Sequence, residues 1–180
     1  MKIVTAILAA ALVTAPAIVT SSAVWAKSAP QPSRAVSAAF YSGRWYEIAR
    51  TPNINQRDCE APTSEFADGA DGRFRIVQTC HRGSPEGAAK VFKSTAALVP
   101  GTENAKFTVT FFGVAKQEYW VLDCSGDGQW AIMATPGGNY VWLLSRQPVM
   151  SPAAEARALG RIRALGYDVD RLELPRQTGS

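Results

Sequence analysis

Between residues 44 and 146 the sequence alternates regularly between short apolar segments and clusters of Gly, Pro, Asn and Asp. The segments are rich in β-branched and aromatic residues, and apolar and polar positions alternate along them, which is typical of strands. This spacing favours an antiparallel sandwich or barrel, and eight strands suffice for a closed barrel to hold one small ligand. The predicted strands cover residues 44–50, 63–67, 74–82, 90–99, 106–112, 117–124, 130–135 and 140–146.

After the last predicted strand the pattern changes to that of a helix. Ser151 is a suitable N-cap and is followed by a proline at the first helical position. Leu159 and Ile162 lie on one apolar stripe, and Gly166 is a natural stop. We therefore predict one amphipathic helix packed on the outside of the strands, followed by an extended stretch at residues 168–174 that can pair with a sheet edge.

The first 26 residues have the features of a signal peptide. Lys2 supplies a positive start, a long apolar stretch follows, and small residues precede the expected cleavage point. We expect residues 27–35 to be a flexible lead-in and residues 36–180 to form the folded domain. Because no cysteine precedes Cys59, we expect no lipid anchor and a periplasmic or secreted protein, with transient membrane contact and oligomeric state left open.

Three cysteines in an exported chain leave one unpaired if a disulfide forms. Folding the second and third strands as a hairpin places Cys80 opposite about residue 61, one strand step from Cys59. Two such positions bring Cα atoms within about 6 Å, so we predict a Cys59–Cys80 bridge. Strand alternation predicts that Asp123 points into the domain and that the remaining thiol, Cys124, points outward.

Several classes of function are disfavoured by the composition. The formal net charge is +4, but the basic residues are scattered singly, so we expect no nucleic-acid partner. A single histidine, His81, and three widely spaced cysteines do not make a zinc set, and no phosphate-binding or nucleophile-elbow motif is present. We therefore predict no metal site and no cofactor.

Aromatic residues recur on one face of the predicted strands. They either fill a barrel core or line an apolar cavity for a lipophilic ligand. Small residues on the fourth strand, among them Ser94 and Ala96, favour the hollow form. We predict that the ligand-binding lining consists of Phe66, Ile76, Phe107, Val109, Phe111, Tyr119, Val121 and Trp142.

Two segments at the ends of this pattern carry a family resemblance. Gly43-Arg44-Trp45 resembles the G-x-W motif on the first strand of the lipocalins, and residues 140–148 resemble the block on their last strand, which ends in an arginine, here Arg146. The chain is similar to the bacterial lipocalins and apolipoprotein D in particular, over residues 36–174. The turn at residues 123–127 departs from the family pattern.

The resemblance implies an eight-stranded up-and-down calyx with a flanking C-terminal helix, which binds fatty acids, lysophospholipids or other small hydrophobic molecules. It also implies that Trp45 closes the calyx floor and that Arg146 stacks across it, a cation–π contact worth about 0.5–2 kcal/mol. The function we expect is binding and transport of a lipophilic ligand rather than catalysis. The alternatives are a calyx enzyme that uses Cys124 as a thiolate and a filled barrel that acts through protein contacts.

Overall fold

The computed structural model describes residues 28–68 and 73–178, which form a closed antiparallel barrel. Each strand pairs with its neighbour in sequence, and the last pairs with the first, so this is the predicted up-and-down topology. The helix also lies where it was predicted. The strands are β1 Gly43–Arg50, β2 Cys59–Asp68, β3 Arg73–Arg82, β4 Ala89–Leu98, β5 Lys106–Phe111, β6 Ala115–Cys124, β7 Trp130–Ala134 and β8 Val141–Ser145, and the helix is α1 Pro152–Ala164.

The barrel closes where β1 meets β8. Tyr46 is opposite Ser145 and Arg50 is opposite Trp142, with a register shift between Glu47 and Ala49. The bulge increases the local twist of β1, which helps a sheet curve back on itself. Closure leaves one end of the barrel beside Trp45 and the other beside the long β1–β2 loop.

Strand β2 begins earlier than predicted, at Cys59 rather than at residue 63. Pro62 made the preceding residues look like loop. The structure accommodates this proline at a bulge, because the register with β3 shifts between Glu60 and Thr63 and Ala61 adopts a φ of 44°. The longer strand extends the barrel wall as far as the disulfide at Cys59.

Helix α1 packs on the outside of the barrel. The Ser151 hydroxyl accepts a hydrogen bond from the Ala154 amide at 3.3 Å and caps the helix. Ala158 and Ile162 are buried within an apolar layer that includes Leu122 from the outer face of the barrel. Beyond the helix, the stretch predicted to be extended over residues 168–174 instead contains a short 3-10 helix at Val169–Arg171. Only its end pairs with β1, through the isolated bridge between Arg50 and Glu173. Within the described ranges no helix is long and apolar enough to cross a membrane.

Residues 28–35, which we expected to be a flexible lead-in, lie against the barrel. Ala29 is buried and its amide donates to the Pro136 carbonyl at 2.9 Å, while the Ser33 hydroxyl donates to the Leu122 carbonyl at 3.1 Å. The prediction of flexibility came from the Pro-containing, polar composition, which carries no information about these hydrogen bonds to the main chain of the barrel. The predicted signal peptide falls outside the described residues.

The end of β6 differs from the prediction. The pairing with β7 shifts between Val121 and Asp123, so one extra residue is inserted and strand alternation is offset. As a result Cys124 joins the interior apolar cluster, while the Asp123 carboxylate forms ion pairs with Arg34 and Arg161 on the outside. The predicted orientations of Asp123 and Cys124 were therefore wrong.

Candidate ligand cavity

The barrel is hollow. It encloses a cavity of about 700 Å³, within the range of roughly 300–1,000 Å³ that is usual for small-molecule sites. The cavity reaches the end of the barrel formed by residues 51–58 and by the β5–β6 and β7–β8 turns. A filled barrel, one of the alternatives from the sequence, is therefore wrong.

The wall of the cavity is mainly aromatic. The rings of Phe107 and Tyr119 stack with centroids 5.6 Å apart, and Tyr119 also contacts Trp142 at 5.7 Å. Val121 was predicted to line the cavity but does not; it is buried within the interior cluster instead. The predicted residues that do line the cavity are Phe66, Ile76, Phe107, Val109, Phe111, Tyr119 and Trp142.

Below the cavity, Trp45 and Arg146 form the floor. The Arg146 guanidinium lies 3.7 Å from the centroid of the fully buried Trp45 ring and donates to the carbonyls of Arg44 and Phe40 at 3.0 and 2.6 Å. The Trp45 indole N–H donates to the Tyr41 carbonyl at 3.1 Å. These bonds hold both side chains against the main chain, and neither residue borders the cavity, so this pair offers no donor to a ligand.

A buried polar cluster, which the sequence analysis missed, reaches the upper wall of the cavity. The Glu47 carboxylate accepts two hydrogen bonds from the Gln56 amide, at 2.8 and 2.9 Å, and one from Arg50 at 2.9 Å. The Gln56 side-chain oxygen in turn accepts from Asn53 at 2.7 Å and from the Trp142 indole at 3.1 Å. The cluster ties the β1–β2 loop to the cavity wall.

Arg50 anchors this cluster to the chain around it. It is almost fully buried, pairs with Glu173 at 2.8 Å, and donates to the carbonyls of Gln56 and Cys59 at 3.1 and 3.0 Å. Burial raises the pKa of Glu47, and the positive charge of Arg50 opposes that rise. The signal available in the sequence was the position of Glu47, two residues after Trp45 and so on the same face of β1.

The cluster also affects its neighbour Tyr119. Burial, together with the nearby negative charge of Glu47, raises the pKa of Tyr119 to about 12. The phenol therefore stays neutral at physiological pH and serves the cavity as an aromatic surface with a hydroxyl group.

Two lysines stand at the mouth of the cavity. Lys90 and Lys116 are exposed, line the opening, and have no carboxylate within ion-pair distance among the described residues. The Lys90 ammonium lies 4.7 Å from the centroid of the Phe92 ring, which also lines the cavity. The mouth thus places positive charge above an aromatic interior.

The unpaired thiol, Cys124, lies in the interior apolar cluster and does not line the cavity. Burial and the adjacent Asp123 carboxylate raise the pKa of the thiol, and Arg34 only partly offsets them. A protonated, buried thiol is a poor nucleophile.

The predicted disulfide is confirmed. Cys59 and Cys80 are bonded, with their Cα atoms 5.3 Å apart, and both line the cavity near its mouth. Over the described ranges, no group of three or more His, Cys, Asp or Glu side chains is placed to hold a metal ion.

A closed eight-stranded barrel with an aromatic cavity, a sealed floor and an open mouth defines a binding protein for small hydrophobic molecules. The chain belongs to the lipocalin family, because the model of the lipocalin-like domain matches residues 36–177. This confirms the family resemblance, including that to the bacterial lipocalins and apolipoprotein D.

Similar proteins agree with this assignment. The outer membrane lipoprotein Blc of Escherichia coli is 28% identical over 163 residues, which cover 87% of this chain and 92% of the relative. Mouse apolipoprotein D is 23% identical over 140 residues, covering 73% and 72% of the two chains. Insecticyanin from the tobacco hornworm Manduca sexta has the same fold, with a TM-score of 0.67 at 18% identity over 85% of this chain and 86% of its own.

Proposed function

We propose that this protein binds and carries an anionic single-chain lipid, such as a fatty acid or a lysophospholipid, in its calyx. The observation that carries the proposal is an aromatic cavity of about 700 Å³ whose mouth holds two lysines that form no ion pair within the described ranges. The acyl chain would occupy the cavity that Phe66, Phe107 and Trp142 border. Affinity would come from apolar burial, at about 25 cal/mol per Å² before the costs of association.

The charges of the cavity support binding with the head group outward. Glu47 lies on the upper wall and already accepts hydrogen bonds from Gln56 and Arg50, and among the described lining residues the only cations are the two lysines at the mouth. A second anionic group brought to that depth would lose its hydration without gaining a partner. At the mouth, Lys90 and Lys116 remain hydrated and can pair with a carboxylate or a phosphate.

The main alternative, catalysis by Cys124, has little support from the geometry. The thiol lies outside the cavity lining, and its raised pKa keeps it protonated at neutral pH. The relatives named above are an outer membrane lipoprotein and an apolipoprotein, which is consistent with lipid binding. Export to the periplasm or beyond would suit such a carrier and remains a proposal from the sequence.

The first test is native mass spectrometry of the protein purified from its own host, before and after extraction with organic solvent. We expect bound lipid masses that extraction removes. Added fatty acid should then quench the intrinsic fluorescence, because Trp142 lines the cavity. Absence of both a bound mass and quenching would contradict the proposal.

The second test concerns the charge at the mouth. Replacing both Lys90 and Lys116 with Glu should weaken fatty acid binding by about tenfold, since two favourable surface charge contacts become repulsive. Binding of the uncharged fatty alcohol of equal length should change little. Lys93→Glu is the matched control, because Lys93 is exposed on β4 but does not line the cavity. Equal loss for the acid and the alcohol would contradict the head-group assignment.

A further inference from the structure

Apolar side chains project from the end of the barrel that carries the cavity mouth. On the β5–β6 turn, Phe112 is 83% exposed and Val114 is 81% exposed, and on the β1–β2 loop Ile54 is 69% exposed. The Ile54 and Phe112 side chains also border the cavity, so the opening lies between these two loops. We call Ile54, Phe112 and Val114 the mouth rim.

Phenylalanine is a poor residue type for the backbone conformation that this turn requires at position 112. The Val114 amide donates to the Phe111 carbonyl at 3.1 Å, and both central residues of this turn have positive φ, 51° at Phe112 and 76° at Gly113. Such turns prefer Asn followed by Gly, because a bulky residue with positive φ is strained. An exposed phenylalanine here buries little apolar surface in the isolated protein. The ring would be stabilising only where another surface covers it.

The charges around the rim indicate which kind of surface that is. Lys90 and Lys116 lie at the mouth without ion-pair partners among the described residues, and Arg57 is exposed on the same loop as Ile54. The other acidic residues at this end are already paired, Glu60 with Arg176 and both Glu47 and Glu173 with Arg50. The exposed groups without an ion pair among the described residues are two acids, Asp58 and Glu86, against four cations, Arg57, Arg82, Lys90 and Lys116. Exposed apolar tips surrounded by excess positive charge complement an anionic lipid bilayer.

We propose that the mouth rim docks on the surface of an anionic membrane, with Ile54, Phe112 and Val114 entering the interface and the lysines facing lipid head groups. This inference rests on the proposed function in one respect, since docking would open the calyx directly onto the layer that holds its ligand. The barrel would then approach the bilayer end-on, with α1 lying along the side of the barrel.

The test is flotation of the full protein with vesicles made of equal amounts of phosphatidylcholine and phosphatidylglycerol. Val114→Asp should lower vesicle binding by about tenfold, because it places a charge where an apolar side chain enters the interface. The matched control is Val149→Asp, which adds the same charge at a residue that is 54% exposed between β8 and α1, away from the cavity. It should change binding by about twofold or less. Higher salt, or vesicles of phosphatidylcholine alone, should also weaken binding by the native protein.

A second variant separates docking from folding. Phe112→Asn suits the turn better, so it should keep or raise the melting temperature while reducing flotation. The proposal is overturned if the native protein does not float with anionic vesicles, or if Val114→Asp floats like the native protein. In either case the rim would fit a protein partner better.

Binding of a fluorescent fatty acid in solution separates this result from the proposed function. Val114 does not line the cavity, so Val114→Asp should bind the probe like the native protein. Loss of flotation with retained probe binding supports docking. Flotation without probe binding by the native protein would contradict the carrier function and leave membrane docking in place.

Discussion

Trp45 and Arg146 close the barrel as a pair rather than as separate side chains. The indole is fully buried, and the guanidinium covers its face while donating to two main-chain carbonyls. The carbonyl of Arg44 belongs to β1, whereas Arg146 directly follows β8, so the contact spans the seam of the barrel. Loss of the ring would open a cavity at this junction.

We therefore expect Trp45→Ala to lower the free energy of unfolding by about 3–5 kcal/mol, the usual cost of deleting a buried tryptophan. Urea denaturation followed by circular dichroism measures this. Trp142→Ala is the comparison, because that ring borders the cavity and is only partly buried. It should cost less stability and weaken ligand binding more. An unchanged free energy of unfolding for Trp45→Ala would contradict a stabilising role for the floor.

At the scale of residues, the sequence identified functional side chains only where they lie in a short recognisable motif. Trp45 and Arg146 could be identified because each lies in a short block with a recognisable pattern. The cluster around Glu47 could not, because Gln56 reaches it from a loop whose conformation no alternation pattern specifies. Strand parity indicates that a carboxylate faces inward, but its partners depend on the folded path of the loop.

At the scale of elements, one bulge separates the prediction for β6 from the structure. Alternation assumes a regular ladder, whereas the register with β7 shifts between Val121 and Asp123. The shift exchanges the two environments, so that Cys124 is inside and the Asp123 carboxylate reaches Arg34 at 3.3 Å and Arg161 at 2.5 Å. A bulge has no reliable mark in the sequence, because it depends on twist and on the partner strand.

The bulge gives Asp123 a role in joining elements, since Arg34 belongs to the lead-in and Arg161 to α1. We expect Asp123→Asn to destabilise the protein by about 1–2 kcal/mol, because it removes the buried charge that pairs with Arg34 and Arg161, which are themselves half-exposed. The control is Asp170→Asn, which alters an exposed pair with Arg163 at 3.5 Å. It should cost about 0.5 kcal/mol or less. Equal effects of the two substitutions on thermal unfolding would contradict a role for Asp123 in joining the lead-in and α1 to the barrel.

At the scale of the whole molecule, strand number and order were predictable, because turn clusters mark every hairpin. The hollow interior was harder to foresee. Inward aromatic residues such as Phe107 are needed both by a filled core and by a ligand cavity, and the choice depends on ring orientation. Here Phe66, Phe107, Tyr119 and Trp142 form one chain of ring contacts, with the Phe66 and Phe107 centroids 6.1 Å apart, and all four rings border the open cavity.

The disulfide holds the barrel wall together at the mouth. It joins residues 21 positions apart, and the Cys59 carbonyl accepts from Arg50, which anchors the β1–β2 loop. Replacing Cys59 and Cys80 with Ala should lower the free energy of unfolding by about 3 kcal/mol, as expected when a loop of this length is released in the unfolded chain. Urea denaturation with and without reductant measures it. Reductant should lower the urea midpoint of the native protein and leave that of the double variant unchanged. Both proteins contain Cys124, so any effect of reductant on that thiol would appear in both. A native protein whose midpoint does not respond to reductant would contradict a stabilising bridge.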